Sequence, residues 1–437
     1  MTPPVYLVCH STRPRGGLVH TLSLGEALLE QGIDARLVAL GDPAAGLFRP
    51  TPLPHTVVAA PAPAATLEER VFDAVDALEA GLADLCPEEA VLHAQDCIAA
   101  RAACRIRDGH AGPGPWGRQL KPPSVVVVRT VHHVDDFTTP ALIECQQRAI
   151  LDPDHVLVVS DHWRALLAAD YGVDATVVRN GVDPDRFGTG AAGERERFRA
   201  RAGAGPDTFL VLTVGGIEPR KGSVTLLEAM ADVAARANGT RPVLAVVGGH
   251  TFFDYRAYRD NALARLPELG LVEGRDVLLL GTVSEADLGA WYRAADAFAF
   301  PSVKEGFGLV VLEALAAGLP VVASDIAVFA EYLRDGESAL LVPPNDPVAL
   351  AAALGRLAGD PALRRRLATG GRPLVDRFTW AATAGAHRQI YTAAAVRAKP
   401  LGPAHRIRPA ESEPTLQTSP AEAGRAAPGG AQEHSQH

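Results

Sequence analysis

Two glutamates stand eight residues apart in the segment of the chain that is richest in chemical possibilities. Glu305 precedes a glycine-rich turn, and Glu313 falls inside an apolar helix predicted from about Leu309 to Gly318. A buried carboxylate needs hydroxyl or cationic partners, because an unpartnered charge is costly there. Two carboxylates on either side of a diphosphate at the helix N-terminus can hold polyhydroxyl groups, which suits a nucleotide sugar. The alternative is a glutamate on the exposed edge of the helix.

The adjacent cations Arg220 and Lys221 lie between a predicted strand and a predicted helix, in a glycine-containing loop. Lysine is rare in this chain, with four among the 42 Lys and Arg residues. Two cations at a helix start oppose the helix dipole, and a bound anion would compensate for that placement. We therefore expect phosphate binding here, with a solvated surface loop as the alternative.

Two further candidates follow other predicted strands. Gly16 and Gly17 come after the first strand and before a helix, so that a phosphate can approach the helix N-terminus. His132 ends a strand, and strand ends in α/β sheets face the ligand crevice. A tight turn and a structural histidine are the respective alternatives. The neighbouring His133, Asp135 and Asp136 lack the usual metal-ligand spacing, so no metal site is predicted.

The elements that must position these residues alternate between apolar β-rich runs and helices, which predicts an α/β protein with parallel sheets. The pattern ends near Arg179 and restarts at Phe209, which indicates two doubly wound domains. The predicted division is a first domain at 1–187, a linker at 188–206, a second domain at 207–378, a closing helix at 379–398 and a disordered tail at 399–437.

Composition excludes several classes of protein. A net charge of −9 disfavours nucleic-acid binding through bulk electrostatics. Five cysteines without a Cys-x-x-Cys pair indicate free thiols. The N-terminal apolar run Val5–Cys9 is too short for a signal peptide or a membrane span, so we expect a cytoplasmic protein without a transmembrane segment. These observations do not exclude contact of the protein with a membrane surface.

The motifs resemble the retaining glycosyltransferase family 4, whose members have the two-domain GT-B fold. The resemblance covers residues 5 to about 397, and its most specific element is Glu305-x7-Glu313 within Glu-Gly-Phe-Gly-Leu-Val-Val-Leu-Glu-Ala. The supporting elements are Gly16-Gly17, His132, Arg179-Asn180-Gly181, Lys221-Gly222, and Ala295-Asp296 before Pro301-Ser302.

The resemblance implies a role for each matched residue. Glu305 would bind donor-sugar hydroxyls, and Glu313 would bind the nucleotide ribose. Lys221 would neutralise the leaving diphosphate, Gly17 would close over it from the first domain, and His132 would contact the donor sugar beside the acceptor. The residues that would present backbone amides to the sugar and diphosphate are Phe307, Gly308 and Leu309.

The chain departs from the family pattern in three places. Gly216 stands where an arginine is usual, and Arg220 is the nearest substitute, so we expect Arg220 and Lys221 to hold the diphosphate jointly. Arg179 stands where a proline often precedes Asn-Gly. Residues 248–255 replace the usual short Gly-x-Gly turn and can reshape the base pocket.

The resulting prediction is a metal-independent retaining hexosyltransferase without a resident cofactor. It would transfer a sugar from a nucleoside diphosphate donor to a small or lipid-linked acceptor hydroxyl. His132, Lys221 and Glu305 would be the catalytic residues. The alternatives are a non-catalytic nucleotide-sugar sensor or scaffold, and a sugar-nucleotide epimerase or hydrolase on the same fold.

Overall fold

The structure, a computed structural model, describes residues 3–85, 89–109, 124–237, 239–249 and 255–397. The predicted tail at 399–437 and the loop centre at 250–254 lie outside these residues.

The first half of the chain forms a parallel sheet whose central strands are largely apolar and buried, because helices pack on both of its faces. Its described strands, in the spatial order β3-β2-β1-β4-β5-β6-β7, are β1 (Val5–Cys9), β2 (Ala35–Gly41), β3 (His55–Ala59), β4 (Glu89–Ala94), β5 (Ser124–Val131), β6 (His155–Val158) and β7 (Thr176–Val177). The helices are α1 (Gly16–Glu30), α2 (Leu67–Leu85), α3 (Cys97–Asp108), α4 (Pro140–Leu151), α5 (Asp161–Tyr171), α6 (Pro184–Gly188) and α7 (Glu194–Arg201).

The second half repeats this architecture with a second parallel sheet. Its described strands, in the spatial order β10-β9-β8-β11-β12-β13, are β8 (Thr208–Val214), β9 (Arg241–Val247), β10 (Val277–Gly281), β11 (Ala297–Phe300), β12 (Val321–Ser324) and β13 (Leu340–Val342). The helices are α8 (Ser223–Ala235), α9 (Arg256–Ala264), α10 (Glu285–Ala294), α11 (Leu309–Ala316), α12 (Ala327–Ala330), α13 (Pro347–Gly359), α14 (Pro361–Arg377) and α15 (Trp380–Arg397), and a 3₁₀ turn spans Pro219–Lys221.

The last helix returns to the first half of the chain. α15 packs against α1, and Tyr391 is fully buried in the apolar layer between α1 and the first sheet. A bridge between Val182 and Thr379 joins the two crossing segments beside it. The segment predicted as a linker is itself structured in part, since α7 packs against α10.

Both sheets have a topological switch point at their centre. In the first sheet β1 lies beside β4, and in the second β8 lies beside β11, so consecutive connections leave these strands in opposite directions. In open α/β sheets, ligands bind outside the carboxyl ends of the strands at this point. The doubly wound α/β architecture predicted for both halves is confirmed, and it places the candidate residues at these strand ends.

Candidate active site

The Glu305 carboxylate is the centre of a polar cluster after β11. The Lys221 ammonium lies 2.6 Å from Glu305 Oε1, and an Arg220 guanidinium nitrogen lies 3.4 Å from the same oxygen. The Ser302 hydroxyl donates a hydrogen bond of 2.8 Å to it. Arg220 also pairs with Glu218 at 3.1 Å. Both predicted cations therefore converge on the predicted sugar-binding carboxylate.

Close backbone packing between two loops creates this convergence. Gly222 has φ +63°, and a Cβ atom there would lie 2.1 Å from the carbonyl oxygen of Pro301. Only glycine permits both that conformation and that approach. The Val303 N–H donates to the Arg220 carbonyl at 2.8 Å, which ties the loop after β8 to the loop after β11.

Burial and charge act in opposition on this cluster. Burial alone would raise the pKa of the Glu305 carboxyl, but Lys221 and Arg220, with hydrogen bonds from Lys221 and Ser302, outweigh it and hold the pKa below its ordinary value. Burial lowers the pKa of the Lys221 ammonium, although Glu305 opposes the shift. The Lys221 Nζ also lies 4.5 Å from the centroid of the Phe300 ring.

The turn after Glu305 presents the N-terminus of α11. Gly308 precedes this helix with φ +87°, and a Cβ atom there would lie 2.5 Å from the Phe329 ring. The Phe307 side chain is buried, and its carbonyl accepts a hydrogen bond of 2.9 Å from the Tyr332 hydroxyl. Leu309 begins the helix, whose first N–H groups have no intrahelical acceptors. This end of α11 is suited to an anion.

Glu313 is buried one turn into α11, as the sequence predicts, with 8% of its surface exposed. The Tyr292 hydroxyl of α10 donates to its carboxylate at 2.9 Å, which supplies the expected hydroxyl partner. Burial raises the pKa of the Glu313 carboxyl, although Tyr292 and Arg186 oppose the shift. The exposed-edge interpretation of Glu313 is wrong.

The first domain contributes the loop after β1 and the loop after β5. A Cβ atom built on Gly16 or Gly17 meets no described atom within 4 Å, so the start of α1 borders open space. His132 follows β5, and its carbonyl oxygen lies only 2.0 Å from a Cβ atom built on Gly306. The two loops of the crevice therefore touch at His132 and Gly306.

The surroundings of the His132 ring disfavour its protonated form, and two side chains contact the ring. Burial, reinforced by His20 and Arg129, places the pKa of His132 well below its ordinary value. Its Nε2 lies 3.0 Å from the Gln95 side-chain oxygen, within hydrogen-bond distance. The edge of the His20 ring lies against it, with 4.7 Å between the centroids.

Comparison with known families agrees with this geometry. The model of the family described as Glycosyltransferase Family 4 matches residues 14–186, and that of Glycosyl transferases group 1 matches residues 194–373. A D-inositol 3-phosphate glycosyltransferase from Xylanimonas cellulosilytica is 33% identical over 295 residues, which cover 62% of this chain and 67% of the relative. The chain belongs to the group 1 glycosyltransferases of family 4.

Other similar proteins lie in the same group. The D-inositol 3-phosphate glycosyltransferase 2 of Catenulispora acidiphila is 35% identical, over 59% of this chain and 60% of its own length. A second relative of this name, from Streptomyces bingchenggensis, is 34% identical over 55% of this chain and 53% of its own length. The chain thus spans little more than half the length of these two curated relatives.

Solved structures establish the GT-B fold for this member of the family. Sucrose-phosphate synthase from Thermosynechococcus elongatus superposes with a TM-score of 0.71 at 24% identity, covering 89% of this chain and 98% of that one. HepE from Anabaena, solved with UDP and glucose, gives a TM-score of 0.71 at 18% identity, covering 90% and 100%.

Two partner residues of the site, Tyr292 and Gln95, carry no motif signal that sequence reasoning used. Ser302 belongs to the Pro301-Ser302 motif and lies three residues before Glu305, but its role as a hydroxyl partner was not predicted. Tyr292 and Gln95 reach Glu313 and His132 from other elements, 21 and 37 positions away along the chain. Only the tertiary fold reveals them.

The departures from the family pattern also have structural positions. Gly216 has φ +78°, and a Cβ atom on neighbouring Gly248 would lie 2.2 Å from its backbone nitrogen. This glycine pair thus permits close contact between the loops after β8 and β9. Arg179 pairs with Asp161 and Glu331.

Within the described ranges, none of the helices has the length and apolar character needed to cross a membrane. The cytoplasmic location stays a prediction.

Proposed function

We propose that this group 1 glycosyltransferase transfers a sugar from a nucleoside diphosphate donor to an acceptor hydroxyl with retention of anomeric configuration and without a metal ion. The observation that carries the proposal is the convergence of Lys221, Arg220 and Ser302 on Glu305, directly before the N-terminus of α11 and opposite His132. Cations and helix amides at one point are suited to a departing diphosphate.

The reaction balances without a protein nucleophile. The bond between the anomeric carbon and the phosphate oxygen breaks, and the acceptor oxygen bonds to that carbon on the same face. The acceptor proton passes to the leaving phosphate oxygen. Lys221 and Arg220 would stabilise the negative charge that develops on the diphosphate, and pairing with it would release Glu305 to bind sugar hydroxyls.

His132 would meet the donor sugar as a neutral ring. Positive charge develops on the anomeric carbon as the leaving group departs, and a protonated imidazole beside it would oppose that charge. The lowered pKa of His132, caused by desolvation and by His20 and Arg129, supports its predicted position beside the sugar. Glu313, held by Tyr292, would bind the ribose on the other side of the diphosphate.

The comparisons supply starting substrates for a test. The Anabaena neighbour was solved with UDP, and the curated relatives are named for transfer to D-inositol 3-phosphate. We propose a UDP-sugar as the first donor to test and a phosphorylated polyol as the first acceptor class. A lipid-linked acceptor is the next class to test.

The deciding experiment measures nucleoside diphosphate release from UDP-, GDP- and ADP-sugars with D-inositol 3-phosphate, with unphosphorylated inositol, and with no acceptor. Acceptor-dependent release, with NMR of the product showing the donor's anomeric configuration, is the expected result, and Glu305→Gln is the low-activity control. Release without acceptor would favour a hydrolase. Thermal stabilisation by nucleotide sugars without turnover by any acceptor would favour the sensor alternative.

A further inference from the structure

The N-terminus of α5, in the first domain, docks on the second domain. The backbone N–H groups of Asp161 and His162 donate to the Glu331 carboxylate at 3.0 and 2.8 Å. Arg179 approaches the same carboxylate at 3.2 Å. The first N–H groups of a helix have no intrahelical acceptors, and here a carboxylate from the other domain receives them.

Trp163, one position further along α5, reaches the Glu305 loop. Its indole N–H donates to the Glu305 carbonyl at 2.9 Å, and only 2% of the side chain is exposed. The Glu305 carboxylate meanwhile binds Lys221 and Ser302 of the second domain. The backbone of Glu305 is thus held from the first domain, and its carboxylate from the second.

The hydrogen bond from Trp163 constrains more than one atom. A trans peptide is planar, so directing the Glu305 carbonyl toward Trp163 turns the Gly306 N–H in the opposite direction. The Tyr332 hydroxyl donates to the carbonyl of Phe307, two residues further along the same loop. At Gly306 the loop touches the His132 carbonyl so closely that a side chain would not fit.

We propose that Trp163 is a positioning residue whose indole N–H ties the contact between the two domains to the placement of the Glu305 carboxylate. The inference rests on the proposed function, in which Glu305 binds the donor sugar. Separation of the domains would break this bond and let the Glu305–Gly306 peptide rotate. The carboxylate would then meet the sugar correctly only while the domains are in contact.

Trp291 provides a matched control within the same chain. It is fully buried, and its indole nitrogen has no hydrogen-bond partner in the described part of the chain. Its ring packs against Phe198 and Arg201 of α7, the helix in the segment predicted as the linker. Changing either tryptophan to phenylalanine removes a buried bicyclic ring, but only the change at Trp163 removes a hydrogen bond between the domains.

The first test compares the kinetics of Trp163→Phe and Trp291→Phe at saturating donor and acceptor. Loss of one neutral hydrogen bond corresponds to roughly a 3- to 10-fold effect, so we expect kcat to fall by that factor in Trp163→Phe. The donor KM and the Kd for UDP should change less than twofold, and Trp291→Phe should keep its kcat within twofold. Equal kcat losses in the two variants, or an unchanged kcat in Trp163→Phe, would overturn the proposal.

The second test does not need turnover. The amide hydrogens of Asp161 and His162 are bonded to Glu331 across the domain contact, so their exchange with solvent reports separation of the domains. Exchange should be several-fold faster in Trp163→Phe than in wild type, and unchanged in Trp291→Phe. Equal exchange in all three proteins would contradict the proposal.

These measurements separate two kinds of failure. If wild type transfers no sugar but exchange accelerates only in Trp163→Phe, the proposed function fails and the coupling stands. If Trp163→Phe does not fold, 3-benzothienylalanine at position 163 keeps the bicyclic shape and removes only the N–H. The same losses of kcat and of amide protection are expected for it, and wild-type values of both would refute the role of the N–H.

Discussion

The two sides of the crevice differ in the kind of titratable side chains that they contain. On the second-domain side, Lys221 and Glu305 form a salt bridge at 2.6 Å. On the first-domain side, a histidine cluster, defined as the buried His20, His93 and His387 with the half-buried His132, has pKa values below the ordinary histidine range. Lys221, Arg220 and Glu305 converge where a diphosphate would depart, and imidazoles with lowered pKa values lie on the opposite side.

This histidine cluster extends from the crevice into the core. Ring centroids lie 4.7 Å apart for His20 and His132, and 5.3 Å apart for His93 and His387. The Tyr391 hydroxyl lies 2.7 Å from His93 Nδ1, and Asn180 lies 2.9 Å from His20 Nδ1. α1, β4, β5 and α15 thus meet through uncharged rings, and protonation of any ring opposes their packing.

The largest expected effect is therefore loss of stability in acid. Burial lowers the pKa of His20 to about 3 and that of His387 to about 4, from 6.5. Below pH 6.5 the unfolded chain binds protons that the folded chain excludes, so stability is present above pH 6.5 and falls toward pH 4. At pH 5 His20 and His387 should each lower the free energy of unfolding by about 2 kcal/mol. Urea unfolding at pH 7, 6 and 5 measures this fall.

Substitution of one histidine measures the contribution of that residue to the loss of stability in acid. Between pH 7 and pH 5 the free energy of unfolding of His387→Gln should fall by about 2 kcal/mol less than that of wild type. This difference does not depend on the stability of the variant at pH 7. His55→Gln, at an exposed position, should follow the wild-type curve. Parallel curves for all three proteins would show that the cluster is not the source of the acid effect.

The next effect concerns the charged side of the crevice. Lys221→Ala should lower kcat/KM roughly 10- to 150-fold, the value of one charged hydrogen bond in the transition state. The decrease in kcat/KM for Arg220→Ala should be at the lower end of that range. The Arg220 side chain is 41% exposed and lies 3.4 Å from Glu305. Steady-state kinetics with the best donor measures both.

Lys304 is the control for this pair. It lies in the same loop as Glu305 but binds Asp136 at 2.8 Å, so Lys304→Ala should keep kcat/KM within about twofold. If Arg220→Ala keeps more than about a third of wild-type activity while Lys221→Ala is inactive, the two cations do not share the diphosphate.

A smaller effect should divide the two glutamates. Glu313→Gln should weaken UDP binding by about 1 kcal/mol, roughly fivefold in Kd, because an amide replaces the carboxyl group that would bind the ribose. Glu305→Gln should mainly lower kcat and leave the Kd for UDP nearly unchanged, because it would bind the sugar. Isothermal titration calorimetry supplies the Kd values. Equal losses of UDP affinity in both variants would contradict this division.

The smallest expected effect is that of metal removal. Two cations at the diphosphate would provide the charge that a divalent ion provides elsewhere, so activity should persist in excess EDTA. The measurement is kcat/KM before and after chelation, with added Mg²⁺ and Mn²⁺ as the reference. Loss of activity that either ion restores would overturn the metal-independent mechanism.

Sequence reasoning predicts the backbone elements closely. Continuously apolar runs such as Val5–Cys9 and Ala297–Phe300 coincide with strands, because strands covered on both faces need no polar alternation. Glycine marks helix ends, as at Gly318 with φ +70° two positions after α11. The spacing of Glu305 and Glu313, with one in a loop and the other in a helix, also followed from these local patterns.

The tertiary structure alone decides which groups meet. Lys221 pairs with Glu305 across 84 positions, and Trp163 donates to Glu305 across 142. His93 of the histidine cluster lies within hydrogen-bond distance of Tyr391, 298 positions away, because α15 returns to the first domain. Local sequence patterns record helix and strand periodicity and burial, which depend on near neighbours. Partners at strand ends depend on how parallel crossovers bring distant loops to one edge of a sheet, and that placement has no local signature.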